Sequence, residues 1–140
     1  MTNDDSFSLN DWLFSVVAQT DGYLGQHGFL RSGKTNAFYK INSARTKGCL
    51  IVFRHSVDNT PDYKKFGINF VCLTQNDTPD RSRITVNLLR QSTELNGLPI
   101  DTFHIDETIV NNETPEEYFA KSICPKLERI LTECKNFGIN

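Results

Sequence analysis

Gly28-Phe29-Leu30-Arg31-Ser32-Gly33-Lys34-Thr35 fits the phosphate-loop pattern G-x-x-x-x-G-K-[ST] at every position. The chemistry it would announce is nucleotide binding, with backbone N–H groups ringing the phosphates, the lysine contacting them and the Ser/Thr hydroxyl on Mg²⁺. Such a loop follows a strand and opens a helix, whose positive dipole end faces the phosphates. Here helical periodicity precedes Gly28, and a strand-like run, Ala37-Phe38-Tyr39-Lys40-Ile41, follows Thr35. No downstream apolar run closes on an aspartate that would hold the metal. The segment therefore reads as a turn in which Gly33 supplies a positive φ, and Lys34 is not a phosphate-loop lysine.

Other reactive residues are equally poor in context. His104 and Asp106 share one face of a short strand, and His55 and Asp58 stand at another strand end, but short-spaced metal ligands are missing. The expected reading of His104 is an exposed polar edge, with no metal and no cofactor. Cys49, Cys72, Cys124 and Cys134 are widely spaced, without a C-x-x-C pair, and have apolar neighbours. They read as reduced, buried thiols serving as small hydrophobes. Val71 and Leu73 flank Cys72, which argues against a nucleophilic thiolate there. No G-x-S-x-G turn exists, and the acids concentrate at helix starts and loops. Carboxylate pairs that meet only in the fold stay open, but the reading favours a protein that is not an enzyme.

Charge is more informative. The 140 residues carry a net charge of −2 with 38% hydrophobic and 11% aromatic content, as in a soluble globular protein. Residues 1–30 hold four acids and no bases, residues 31–90 eleven bases and four acids, and residues 91–140 four bases and nine acids. Acidic helices folded against a basic sheet would offset this segregation. A basic face for phosphate or for an acidic partner would exploit it. Lys34, Lys40, Arg45, Lys47 and Arg54 interleave with Phe38, Tyr39 and Phe53, the residue types that contact phosphates and stack bases. A pI near 5.9 argues against strong non-specific nucleic-acid binding. Arg81, Arg83 and Arg90, with Tyr63-Lys64-Lys65, are types that anchor protein interfaces. The residues expected to bind a partner are Arg45, Lys47, Arg54, Tyr63, Arg81 and Arg83. The partner expected is a protein with an acidic surface, such as a toxin, and nucleic acid bound through residues 31–90 is the alternative.

The elements that must position these residues follow from periodicity. Ser8 and Asp11 form a capping-box pattern, and Leu9, Trp12, Leu13, Val16, Val17 and Leu24 trace a helical stripe ending between Thr20 and His27. Residues 29–41 predict a strand or hairpin, and 49–55 and 67–74 predict strands. Ile84, Val86 and Leu88 alternate with Arg83, Thr85 and Asn87 as in a half-exposed strand. Residues 91–112 look irregular, apart from a short strand at 102–105. Thr114-Pro115-Glu116-Glu117 opens a closing helix with the stripe Phe119, Ile123, Leu127, Ile130, Leu131 and Cys134, Pro125 kinks it, and Gly138 ends it.

This amounts to a single α+β domain, residues 1–140: an antiparallel sheet of about four or five strands with an N-terminal and a C-terminal helix on one face. Trp12, Leu13, Val16, Phe119, Leu127 and Leu131 should meet Ile51 or Val52, Phe70 and Val86. No run reaches the roughly 18 apolar residues of a membrane span, and the acidic N-terminus does not look like a signal peptide, so the expected location is cytoplasmic. His27-Gly28-Phe29, Arg31, Gly33 and Phe38-Tyr39, placed between a helix and successive strands, resemble a family of short bacterial α+β proteins of unknown function. In size and layout the chain is also similar to small bacterial immunity proteins, which block a toxin by covering it. That similarity of type implies a non-enzymatic, inhibitor-like binding protein.

Overall fold

A computed structural model describes residues 9–33, 36–55, 63–96 and 98–139. Helix α1 (Leu9–Gln26) leads through β1 (Leu30–Arg31) into β2 (Ala37–Ile41), β3 (Lys47–His55) and β4 (Tyr63–Thr74). Two 3-10 turns (Gln75–Asp77 and Pro79–Arg81) precede α2 (Val86–Asn96) and β5 (Leu98–Asp106). The chain closes with α3 (Glu107–Asn112), α4 (Pro115–Tyr118), a π-helical turn (Phe119–Ile123) and α5 (Cys124–Phe137). The strands form one antiparallel sheet in the order β1-β2-β3-β4-β5. The fold is α+β, with the first and last helices on the same sheet face.

Strand alternation sorts the core into two layers. Cys49, Ile51 and Phe53 of β3, with Phe66 and Ile68 of β4 and Phe103 and Ile105 of β5, face α1 and α5. Trp12, Leu13, Val16, Leu24, Tyr118, Leu127 and Ile130 cover them. Trp12 meets Tyr118 edge-on at 5.3 Å and donates its indole N–H to the Glu113 carbonyl at 3.2 Å, satisfying its one polar atom. Ile51 lies in this core as expected, and Phe70 and Leu131 pack at its margin. Val52 does not, because it occupies the other face.

The second face corrects the sequence reading. Residues 86–96 form a helix, where alternation of Ile84, Val86 and Leu88 had suggested a strand. Leu89 and Ile84 are buried against Ala37 and Leu50, with Val52, Val71 and Leu73 around them. Gly48 permits this approach, since a Cβ there would stand 2.7 Å from Ile84 Cγ2. Val86 therefore belongs to the helix on the opposite side from α1 and α5. The region read as irregular also contains a full edge strand, β5, and the short helix α3.

The caps match the residue chemistry. Thr114 Oγ1 accepts the Glu117 N–H at 3.1 Å while Glu117 accepts the Thr114 N–H at 3.0 Å. Pro125 falls at the start of α5, and the break it causes is taken up by the preceding π-helical turn. Gly138, at φ 94°, ends α5 with Ile139 N–H bonded to Cys134 O and Gly138 N–H to Lys135 O, a Schellman closure. The proposed N-terminal cap, Ser8, lies outside the described residues.

Candidate functional site

The phosphate-loop pattern sits in a helix–hairpin connection. Gly28 and Gly33 take positive φ (86° and 62°), α1 ends before them and β2 follows. Lys34 and Thr35 themselves lie outside the described residues, and the element that follows, β2, is a strand rather than a helix. His104 is exposed on β5, while Asp106 is engaged as the N-cap of α3, accepting the Ile109 N–H at 3.1 Å. The His55 side chain and Asp58 fall outside the described residues.

The six residues expected to bind a partner separate into two groups. Arg45 lies in the β2–β3 turn, and its carbonyl accepts the Ile84 N–H at 2.8 Å. Gln75 N–H bonds Thr46 O at 2.9 Å, and the Gln75 amide bonds Arg81 O at 3.1 Å. These bonds tie Arg45, Arg81 and Arg83 to one end of the sheet, all exposed. Asn42 braces the turn, its Oδ1 accepting the N–H groups of Thr46 and Lys47 at 2.8 and 3.1 Å. Arg45, Asp80 and Arg81 take φ of 58°, 59° and 53°, and among the described residues they are the non-glycine positions with positive φ. No described carboxylate reaches ion-pair distance of Arg45, Arg81 or Arg83, whereas Arg31 reaches Asp21 at 3.7 Å.

Arg54 stands at the far end of β3, about 23 Å from Lys47 at 3.3 Å per residue. Tyr63 pairs with Asp106 at the same far end, and its side chain lies outside the described part. Lys47 has structural work, donating to the Phe137 carbonyl at 3.0 Å at the close of α5. Phe38 and Phe53 are buried, so of the three aromatic residues proposed to stack bases only Tyr39 retains exposure.

Beside the Arg45 end, a cleft of about 430 Å³ is lined by Leu30, Tyr39, Lys40, Ile41, Arg45 and Val86, among others. It adjoins the sheet edge where β1 pairs only with Phe38 and Tyr39. Leu30, 61% exposed, stands on its rim.

A second constellation was invisible in the spacing. Lys40, Cys49 and Cys72 are successive cross-strand partners on β2, β3 and β4, and Cys134 comes down onto this row from α5. The sulfurs of Cys49, Cys72 and Cys134 lie within 4.8 Å of one another, with Cys49 Sγ 3.0 Å from Cys134 Sγ. All are free thiols, and Cys72 and Cys124 are only half-buried. Hydrogen bonds from Cys49 and Cys72, helped by the Lys40 charge, hold the Cys134 thiol below the ordinary range against burial. The bond to Cys134 is the main cause pushing both Cys49 and Cys72 up. Same-face parity on the strands and the helical stripe through Cys134 carried the signal, but convergence required the β3–β4 register.

Cys134 also lines a cleft of about 320 Å³ with Tyr23, His27, Lys40 and Glu128. Tyr23 and His27 rings are 4.8 Å apart, and burial pushes the Tyr23 phenol up to about 12, with Cys124 adding to the shift. Lys40 donates to the His27 carbonyl at 2.8 Å. Comparison with protein-family models, with characterised proteins and with solved structures finds no match to this chain.

Proposed function

We propose that this is a non-enzymatic binding protein that covers an acidic protein partner, in the manner of immunity and inhibitor proteins, through the end of the sheet carrying Arg45, Arg81 and Arg83. The observation that carries this reading is the display of Arg45 and Arg81 in left-handed backbone conformations on one hydrogen-bonded platform. Such conformations cost about 1–3 kcal/mol and persist where surrounding structure enforces them, which is typical of functional surfaces. Arg45 shares a cleft with exposed Leu30, which offers the mixture of arginine and apolar contact common in interfaces. Burial of Phe38 and Phe53 favours a protein over single-stranded nucleic acid, which needs exposed rings.

Affinity of the purified complex, measured by calorimetry for Arg45→Ala, Arg81→Ala and Arg83→Ala, tests the reading. At least one substitution should cost over about 2 kcal/mol, and Arg54→Ala should be near neutral. A mobility-shift assay with DNA and RNA at roughly 50 and 200 mM salt supplies the contrary outcome. A tight, salt-sensitive shift lost in Arg45→Ala would replace the protein partner with nucleic acid.

A further inference from the structure

We propose that Cys49, Cys72 and Cys134 form a site for one thiophilic cation, zinc(II), independently of what the basic end binds. Three separate elements each deliver one sulfur to the same point, and no sequence-local motif brings them there. At a zinc–sulfur bond of about 2.3 Å, three thiolates stand about 3.8–4.0 Å apart. The observed trio spans that separation: the Cys49–Cys134 pair is closer, at 3.0 Å, and all three lie within 4.8 Å. Opening the Cys49–Cys134 pair by about 1 Å and bringing the other two separations, none above 4.8 Å, to the same value gives the trigonal base.

Donor chemistry selects the ion. A set made of sulfur alone favours zinc or copper(I) over magnesium, calcium or manganese, which take oxygen. Three thiolates around zinc(II) carry one net negative charge, and Lys40, the cross-strand neighbour of Cys49, is the adjacent cation. Binding converts three thiols to thiolates and releases their protons, up to three per zinc. Cys134 borders the cleft that holds His27 and Glu128, which gives the ion an access route and a place for water in the fourth position.

The test uses the reduced full chain, freed of metal and titrated anaerobically with zinc(II) against a chromophoric chelator. One equivalent should bind with release of two to three protons. Cobalt(II) should give an ultraviolet thiolate charge-transfer band that zinc abolishes. Cys72→Ser, at the half-buried position, should weaken zinc at least about tenfold, while Cys124→Ser should leave it unchanged. Circular dichroism of both variants checks that they fold, and wild-type proton release and the cobalt band need no variant. Absence of tight one-to-one binding by the folded wild type would overturn the proposal. So would equal loss in Cys124→Ser.

Discussion

Lys47 shows how a charged side chain can be absorbed by architecture. Its ammonium donates to the Phe137 carbonyl at the negative end of the α5 dipole and lies 5.9 Å from the Phe137 ring. Lys47→Met should therefore lower stability by about 1 kcal/mol in urea denaturation and leave partner affinity unchanged. A loss of affinity with stability intact would return Lys47 to the interface. At the start of α4, the Thr114 N–H bond holds the Glu117 carboxyl below its ordinary value of 4.5. Because the folded value is the lower one, this stabilisation is fully present above about pH 4.5 and lost as pH falls from there through the lower folded value. The Thr114 and Glu117 amide resonances should shift together below about pH 4.5, and Glu117→Gln should remove that titration. Residue-scale chemistry confined to four neighbours, such as this capping box, was legible in the sequence. The cysteine trio was not, because Cys49, Cys72 and Cys134 converge only once register and helix face are set.

At the scale of elements, the two helix-covered faces make separate demands on packing. Leu127 under α5 and Leu89 under α2 are both fully buried, in different cores. Leu127→Ala and Leu89→Ala should each cost about 2–5 kcal/mol through lost burial and cavity formation. Urea midpoints measure both, and a loss under about 0.5 kcal/mol at Leu89 would contradict α2 as the cover of the second face. The amphipathic ends of the chain, α1 and α5, follow from strong apolar stripes and were readable. The segment 83–88 alternates over six residues, and that short-range signal hid a helix whose buried side chains, among the described ones, are Leu89 and Thr93, with Ile84 just before it. Pro99 lies within β5. Proline is tolerated there because β5 is an edge strand and Pro99 pairs with Asn69 beside a register shift at Ile68/Asn69.

For the whole molecule, the acidic ends and basic middle of the chain become a spatial arrangement. Helices α1 and α5 lie on one sheet face, while exposed Arg45, Arg81 and Arg83 collect at one end of the sheet and Arg54, also exposed, stands at the other. No described helix is long and apolar enough to cross a membrane. The charge segregation was legible from sequence, but its division into two separated groups depended on the length of β3. Quantitative affinity capture from nuclease-treated native extract tests whether the Arg45 end of the sheet holds an acidic protein. Wild type, an Arg45→Ala/Arg81→Ala/Arg83→Ala variant and Arg54→Ala are compared, and the captured protein is then purified for direct binding. One acidic protein should be retained by wild type and Arg54→Ala, with affinity reduced at least about thirtyfold, equivalent to about 2 kcal/mol, in the triple variant. Undiminished binding by a correctly folded triple variant, or capture that disappears with nuclease, would contradict this role for the Arg45 end.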